Sequence, residues 1–151
     1  MIEKLQNKDI KVAGNIRSVF QVSYAVEAKL LQVTEFPPLK RSLDSYVNCP
    51  NDFFGFEKNK ELVGVIEIKH NPSFTHIQSL VVDPAFFRQG IAGKLIEFVL
   101  KTFDGKLFMV ETGVKNQPAI ELYKKFDFLE VKQWDTDYGI RKIRFEKKID
   151  N

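Results

Sequence analysis

Two glycines, Gly90 and Gly93, stand where an apolar strand gives way to a helix. The strand is predicted to end at Asp83–Pro84, and a short loop separates it from the first helical turn. A helix N-terminus leaves several backbone N–H groups without partners and carries partial positive charge, so it suits a phosphate. Glycine and the small Ala92 let such a group approach the main chain closely. The segment therefore predicts a diphosphate cradle built from backbone.

Two other phosphate-binding motifs do not fit this segment. A P-loop needs Gly-x-x-x-x-Gly-Lys followed by Ser or Thr, whereas Leu95 follows Gly93 and Lys94. A dinucleotide fingerprint needs three spaced glycines, but residue 92 is alanine and no acidic residue is compellingly placed downstream. Neither a P-loop nor a dinucleotide site is expected.

The same segment resembles the acetyl-CoA motif of the GCN5-related N-acetyltransferase (GNAT) family. That motif is commonly described as Gln/Arg-x-x-Gly-x-Gly/Ala, and Phe87 stands at its first position here. A second match has Asp127 in place of the usual glycine, and Asp tolerates left-handed backbone better than most residues. The first match consists of Leu80-Val81-Val82-Asp83-Pro84, Arg88-Gln89-Gly90-Ile91-Ala92 and Leu95-Ile96, and the second of Asn116, Ala119, Leu122-Tyr123 and Phe126-Asp127-Phe128.

The resemblance implies direct transfer of an acetyl group from acetyl-CoA to a primary amine of a small molecule or a protein. It implies that the Val82 N–H meets the thioester carbonyl. For Arg88, Lys94 and Asn116, roles as surface charges or as a helix cap stay open. The residues implied to contact acetyl-CoA are Leu80, Val81, Val82, Arg88, Gln89, Gly90, Ile91, Ala92, Gly93, Lys94 and Asn116.

The family pattern also implies a general acid and leaves the base open. Tyr123 matches the tyrosine that lies beside the sulfur and protonates it, although a tyrosine there can equally be a packed aromatic. His76 occupies the strand position where histone-acetylating members carry a catalytic glutamate, and an imidazole with an ordinary pKa of about 6.5 suits proton removal. Glu67, Glu111 and an ordered water are the alternatives.

Family members usually build the acceptor site from the first helical region, its loop and the last strands. Tyr24, Glu27 and Phe36 are the substrate-binding candidates on that basis. Glu27 or Glu35 can attract a cationic amine. Phe36, next to the stiff Pro37–Pro38 pair, either forms a pocket wall or fills the core.

Composition limits the class of protein. With 151 residues, 44% of them hydrophobic, the chain is predicted to be one domain over residues 1–151. No apolar stretch approaches the roughly 20 residues of a membrane span, and the N-terminus lacks the features of a signal peptide. Cys49 is the single cysteine, so an internal disulfide is excluded and a reducing cytoplasm is the expected location.

The net charge and the small number of metal-ligating residues exclude few further classes of protein. A net charge of +3 is spread along the chain, so it does not require nucleic acid, and two His with one Cys indicate no metal cluster. The expected partners are acetyl-CoA and an amine, with a homodimer possible. A CoA-binding module without turnover is the alternative from a different functional class.

The elements that position these residues follow from hydrophobic periodicity. The prolines at 37 and 38 are predicted to be extended, like Phe36 before them. The order of elements predicts an α/β (α+β) fold with a mixed sheet, and the resemblance implies a largely antiparallel central sheet flanked by helices, as in GNAT-like acyl-CoA N-acyltransferases. Predicted helices are Lys8–Leu31 (one or two), Lys40–Val47, Ile91–Thr102 and one from Gln117; predicted strands are Phe53–Glu57, Leu62–Lys69, His76–Val82, Leu107–Thr112, Phe128–Gln133 and Gly139–Ile149.

Overall fold

The computed structural model describes residues 1–149 and places the strands of that part of the chain in one seven-stranded sheet. The strand order is β1-β2-β3-β4-β5-β7-β6. Every neighbouring pair is antiparallel except β4 and β5, which are parallel. The predicted mixed, largely antiparallel sheet flanked by helices is confirmed. The strands are β1 (Ile2–Leu5), β2 (Asp52–Lys58), β3 (Glu61–His70), β4 (Thr75–Val82), β5 (Leu107–Gly113), β6 (Leu129–Asp135) and β7 (Arg141–Lys148), and the helices are α1 (Ile10–Leu31), α2 (Leu43–Val47), α3 (Ile91–Thr102) and α4 (Gln117–Lys125).

The N-terminal region differs from the sequence prediction in two places. The short β1 was not predicted, because four residues show too little alternation; it forms by pairing with β2. Pro37 and Pro38 begin a 3-10 helix, Pro37–Lys40, where extended backbone was predicted. A proline φ near −65° suits the first turn of a helix as well as extended backbone. Phe36 is extended as expected (φ −103°, ψ 108°).

The sheet has a separate apolar core on each face. Successive residues of a strand point to opposite faces, so Ile66 of β3 packs on the α3 side while Val65 packs on the α1 side. On the first face Leu95 of α3 is fully buried, and on the second Ile16 and Phe20 of α1 are fully buried. The two cores fix α1 and α3 on opposite sides of β4.

Strands β4 and β5 pair with each other along only part of their length. Thr75, His76 and Ile77 are opposite Phe108, Met109 and Val110, and no further residues of the two strands are in register. A bulge in the neighbouring β3–β4 pairing falls at Glu67/Ile68, and bulges bend strands. Beyond Ile77 the two strands diverge, which leaves one edge of β4 without a partner strand.

Candidate active site

A cleft with a volume of about 400 Å³ lies where β4 and β5 diverge. Its walls come from one face of α1, the free end of β4, the start of α3 and the start of α4. The lining residues are Ser23, Val26, Glu27, Leu30, Leu80, Val82, Phe86, Phe87, Arg88, Gly90, Ile91, Ala92, Gly93, Asn116, Pro118, Ala119, Leu122 and Tyr123.

The free edge of β4 presents backbone groups to this cleft. The Asp83 N–H donates to the Val63 carbonyl (2.8 Å), and opposed residues in an antiparallel ladder alternate between hydrogen-bonded and non-hydrogen-bonded positions. Val81 therefore directs its N–H and carbonyl to β3, and its side chain is 1% exposed. Leu80 and Val82 direct theirs toward the gap. Of the three predicted β4 contacts, Leu80 and Val82 face the cleft and Val81 does not.

Ser23 of α1 already binds the Val82 N–H, which is the group that the family resemblance assigns to the thioester carbonyl. Its Oγ accepts a hydrogen bond from the Val82 N–H (3.3 Å). A ligand carbonyl at this position must displace the hydroxyl or share the N–H with it. Sequence reasoning missed Ser23, although its spacing of four residues from Glu27 places both on one face of α1.

The start of α3 is an open backbone cradle. Gly90 is the N-cap in left-handed conformation (φ 76°), and Arg88 before it is also left-handed (φ 63°). The first helical N–H with a partner inside the helix is that of Lys94, which donates to the Gly90 carbonyl (3.0 Å). The preceding N–H groups point outward at the positive end of the helix dipole, an arrangement that suits a phosphate.

We expect Gly90→Ala to weaken CoA binding, measured by isothermal titration, at least tenfold, or about 1.4 kcal/mol. A Cβ built at Gly90 meets no atom within 4 Å, so the added methyl projects into open space at the cleft. Gly139→Ala is a matched control, because Gly139 has the same backbone strain (φ 79°) and equally open surroundings but lies outside the cleft. Equal CoA affinity in the two variants would contradict the cradle.

Two of the predicted diphosphate contacts turn away from the cleft. The Gln89 side chain accepts a hydrogen bond from the Lys58 ammonium group. The Lys94 ammonium lies 5.5 Å from the centroid of the Phe56 ring, a cation–π distance. Arg88 lines the cleft and is exposed. Of the side chains around the cradle, Arg88 is therefore the one placed to meet an anion.

Two polar side chains from distant parts of the chain, Asn116 and Glu27, meet at the other end of the cleft. Asn116 caps α4 by accepting from the Ala119 N–H (3.3 Å), and its amide donates to the Glu27 Oε1 (2.9 Å). Burial raises the pKa of the Glu27 carboxyl to about 7, against the opposing effects of the Lys142 charge and the Asn116 hydrogen bond. Asn116 is thus both a helix cap and a group that fixes Glu27.

Tyr123 of α4 lies at the same end and is 5% exposed. Its ring packs against Phe128 and Phe145, with centroids 6.0 and 5.9 Å away. Burial first, and then the negative charge of Glu27, raise the pKa of the Tyr123 hydroxyl well above its ordinary value. The hydroxyl therefore keeps its proton at neutral pH, and Tyr123 is one of the residues that line the cleft.

A family model described as Acetyltransferase (GNAT) family matches residues 22–128, which include the whole cleft. The chain belongs to the GNAT family. The family match begins in α1 and ends just after α4, so it spans the free β4 edge, the Gly90 cradle and Tyr123. The Phe87 and Asp127 departures lie within it, and Asp127 adopts the left-handed conformation (φ 66°) that the usual glycine would supply.

The chain has relatives in a bacterium and in an archaeon. The chain is 33% identical over 141 residues to the UPF0157 protein YqkA of Bacillus subtilis, covering 93% of this chain and 41% of that protein. It is 40% identical over 76 residues to an N-alpha-acetyltransferase of Sulfolobus acidocaldarius, covering 46% of this chain and 45% of that protein. The chain spans less than half the length of these curated relatives.

Two crystal structures show the same GNAT architecture. The ribosomal-protein-S18-alanine N-acetyltransferase from Escherichia coli superposes with a TM-score of 0.79 at 19% identity, covering 99% of this chain and 93% of that chain. The PaiA N-acetyltransferase from Thermoplasma acidophilum, solved in complex with coenzyme A, superposes with a TM-score of 0.73 at 19% identity, covering 99% of both chains. At these identities the likeness establishes the fold.

The predicted base candidates lie elsewhere in this GNAT chain. His76 and Glu111 are not among the residues that line the cleft. Glu111 is half-buried with its Oε2 3.9 Å from Arg144 Nη1. Glu67 is 1% exposed, does not line the cleft, and accepts hydrogen bonds from Arg41, Asn51 and Ser79. Of the carboxylates discussed, Glu27 is the one in the cleft.

We expect His76→Ala to keep the wild-type kcat and pH profile between about pH 6 and 9 in an acetyl-transfer assay. Burial is the largest effect on His76 and lowers its pKa, while Glu111 opposes this and Arg144 adds to it. The ring is therefore neutral at pH 7, but His76 is not among the residues that line the cleft. Loss of the acidic limb of the profile in this variant would restore His76 as the base.

The three residues predicted to contact the acceptor do not all lie in the cleft. Glu27 lines the cleft, but Tyr24 and Phe36 do not. Phe36 is 4% exposed and fills a small core with Leu31 and Ile140. Tyr24 lies between two cores, with its ring centroid 5.7 Å from Phe36. Phe36 as a pocket wall is corrected to Phe36 as core, because an apolar ring gains more by burial than by exposure.

No group of three or more His, Cys, Asp or Glu side chains within residues 1–149 is arranged to hold a metal ion. No helix in this range is long and apolar enough to cross a membrane.

Proposed function

We propose that this protein is an N-acetyltransferase that moves the acetyl group of acetyl-CoA directly to a primary amine. The observation that carries the proposal is the meeting, around one cleft, of the open Gly90 cradle, the free β4 edge and the Tyr123 hydroxyl. These supply the three things the reaction needs: a diphosphate site, hydrogen-bond groups along the thioester arm, and a proton donor for the departing sulfur.

Each part of acetyl-CoA has a complementary part of the cleft. The diphosphate fits the outward N–H groups at the start of α3, with Arg88 beside them. The pantetheine amides fit the edge of β4 at Leu80 and Val82, where backbone donors and acceptors face the gap. The apolar lining from Ile91 and Ala92 excludes water from the arm between them.

Free α-amino groups of proteins or peptides are the acceptor class that we propose first. Two relatives are N-alpha-acetyltransferases, at 40% and 36% identity over 76 residues each. The half-buried Glu27 carboxylate gives the acceptor end of the cleft a negative group that attracts an ammonium ion. A small-molecule amine is the competing acceptor class.

An amine panel with a thiol-release assay tests the proposal. The protein is mixed with acetyl-CoA and, separately, with short peptides carrying free α-amines, an N-terminally blocked peptide with a free lysine, and a polyamine. Release of CoA thiol with an acetylated product, identified by mass, supports acetyl transfer and names the acceptor class. Calorimetric binding of CoA without thiol release from any amine would instead mark a binding module.

A further inference from the structure

Glu27 occupies a position in the cleft that neither of the two family motifs includes. It lies on α1, outside both motif segments, yet it faces Tyr123 of α4 across the cleft. Its Oε1 accepts a hydrogen bond from Asn116 (2.9 Å), and Asn116 is itself held by Thr112 Oγ1 (3.3 Å) and by the start of α4. The carboxylate is therefore fixed in place by an element 89 residues away in the chain.

The hydrogen-bond pattern leaves part of this carboxylate available. Among the described residues, one hydrogen bond to Glu27 is found, and it goes to Oε1. By contrast, the buried Glu67 accepts from Arg41 and Asn51, which occupy its oxygens with cationic and amide donors. Glu27 has the free acceptor capacity that a proton-accepting group needs, and Glu67 does not.

We propose that Glu27 is the general base of the acetyl transfer and takes the proton from the acceptor ammonium group. This inference rests on the proposed function. The groups that face Glu27 are Asn116 and Tyr123 from the α4 region, Lys142 from β7 and Tyr24 from its own helix. The charge of Lys142 favours the ionised form of Glu27.

Glu27 and Tyr123 carry the protons that move in this step. The acceptor ammonium gives one proton to the Glu27 carboxylate, and the free amine nitrogen forms a bond to the thioester carbon. As the C–S bond breaks, the sulfur takes the proton of the Tyr123 hydroxyl, and the second nitrogen proton returns to Tyr123. The net products are the acetylated amine, the CoA thiol and one proton, which leaves Glu27 for solvent.

The pH dependence of the reaction gives the first measurement. Burial raises the pKa of Glu27 to about 7, so a base at this position gains activity as pH rises through 7. We expect kcat/KM of the wild-type protein, measured with the best amine of the panel, to rise as pH increases through 7. This rise is the acidic limb of the pH profile. Glu27→Gln should lower kcat/KM at pH 8 about 100-fold and remove the limb. Glu27→Asp should keep the limb at a reduced rate.

Control variants separate a base from a merely structural or CoA-binding role. Glu121→Gln, on the exposed face of α4, should keep the wild-type rate and limb. The Kd of Glu27→Gln for CoA should equal that of wild type. The Tm difference between Glu27→Gln and wild type should increase from about pH 5 to 8, since only the wild-type carboxyl must then lose its proton while buried.

The outcomes distinguish failure of the base from failure of the proposed function. An unchanged limb in Glu27→Gln, or removal of the limb by Glu111→Gln, overturns Glu27 as base and leaves acetyl transfer standing. Loss of CoA binding in a folded Glu27→Gln also overturns it, because the side chain would then serve the cofactor. A wild-type protein that binds CoA but acetylates no amine overturns both.

Discussion

Replacement of Tyr123 by phenylalanine should lower kcat for acetyl transfer about 100-fold or more and leave KM for acetyl-CoA nearly unchanged. Tyr123 lines the cleft, and the raised pKa of its hydroxyl keeps the group protonated at neutral pH. A protonated phenol can neutralise the departing thiolate, whereas phenylalanine leaves that charge in a buried site. The acid acts as the C–S bond breaks, so the loss falls on kcat.

The fold should survive this substitution. The Tyr123 ring packs between Phe128 and Phe145, and phenylalanine keeps that packing. Tyr46→Phe is the matched control: Tyr46 is fully buried, its hydroxyl has no hydrogen-bond partner among the described residues, and it lies outside the cleft. Thiol release measured with saturating amine should show the loss in Tyr123→Phe alone. A wild-type kcat in Tyr123→Phe would assign the tyrosine to packing.

Arg41→Met should lower the free energy of unfolding by about 3–5 kcal/mol at neutral pH. Glu67 is buried, 1% exposed, and its two carboxylate oxygens accept from Arg41 Nη1 (2.8 Å) and Nη2 (3.2 Å). The guanidinium also stacks 4.1 Å from the centroid of the Tyr46 ring. Without Arg41 a buried carboxylate loses its counter-charge while the shape of the site is largely kept by methionine.

The pH dependence of this loss has a definite sign. Burial favours the protonated acid, but the hydrogen bonds and charge of Arg41, with Asn51 and Ser79, outweigh it and lower the pKa of Glu67. A lowered folded-state pKa adds stability above the ordinary value of about 4.5 and loses it as pH falls through the folded value. The difference between Arg41→Met and wild type should therefore shrink as urea unfolding is repeated at lower pH.

Two variants test whether charge burial causes the effect. Lys40→Met removes the neighbouring cation, whose ion pair with Glu35 is 69% and 73% exposed, and should leave the free energy of unfolding nearly unchanged. Adding Glu67→Gln to Arg41→Met removes the unpaired charge and should recover much of the loss. An equal loss in the double variant would show that Arg41 acts through packing alone.

Local pattern was sufficient for most elements and for the cradle. Helical and alternating periodicity identify the long α1 and strands β2 to β5, because each depends on which face of the element is buried. The Gly90 cradle is equally local: a left-handed N-cap followed by small residues is a property of consecutive residues. The short β1 escaped detection because its existence depends on pairing with β2.

Side-chain direction could not be predicted in the same way. Gln89 and Lys94 belong to the cradle segment, but their side chains contact Lys58 and Phe56 of β2, which no local pattern brings near them. The burial of the Phe36 side chain also depends on residues that are distant in the sequence. A proline neighbour fixes its backbone, whereas the cluster with Ile140 decides that its ring is core.

By itself, the sequence determined the family, the sheet-and-helix fold, the backbone cradle and the position of Tyr123 in a helix that follows β5. These properties depend on neighbours within a few residues or on short motifs. Only the tertiary structure decided that β4 and β5 part beyond Ile77, that Ser23 reaches the Val82 N–H, and that Asn116 holds Glu27. The two hydrogen bonds join residues that are 59 and 89 positions apart. Their energy comes from burial and hydrogen bonding that exist only after the elements pack.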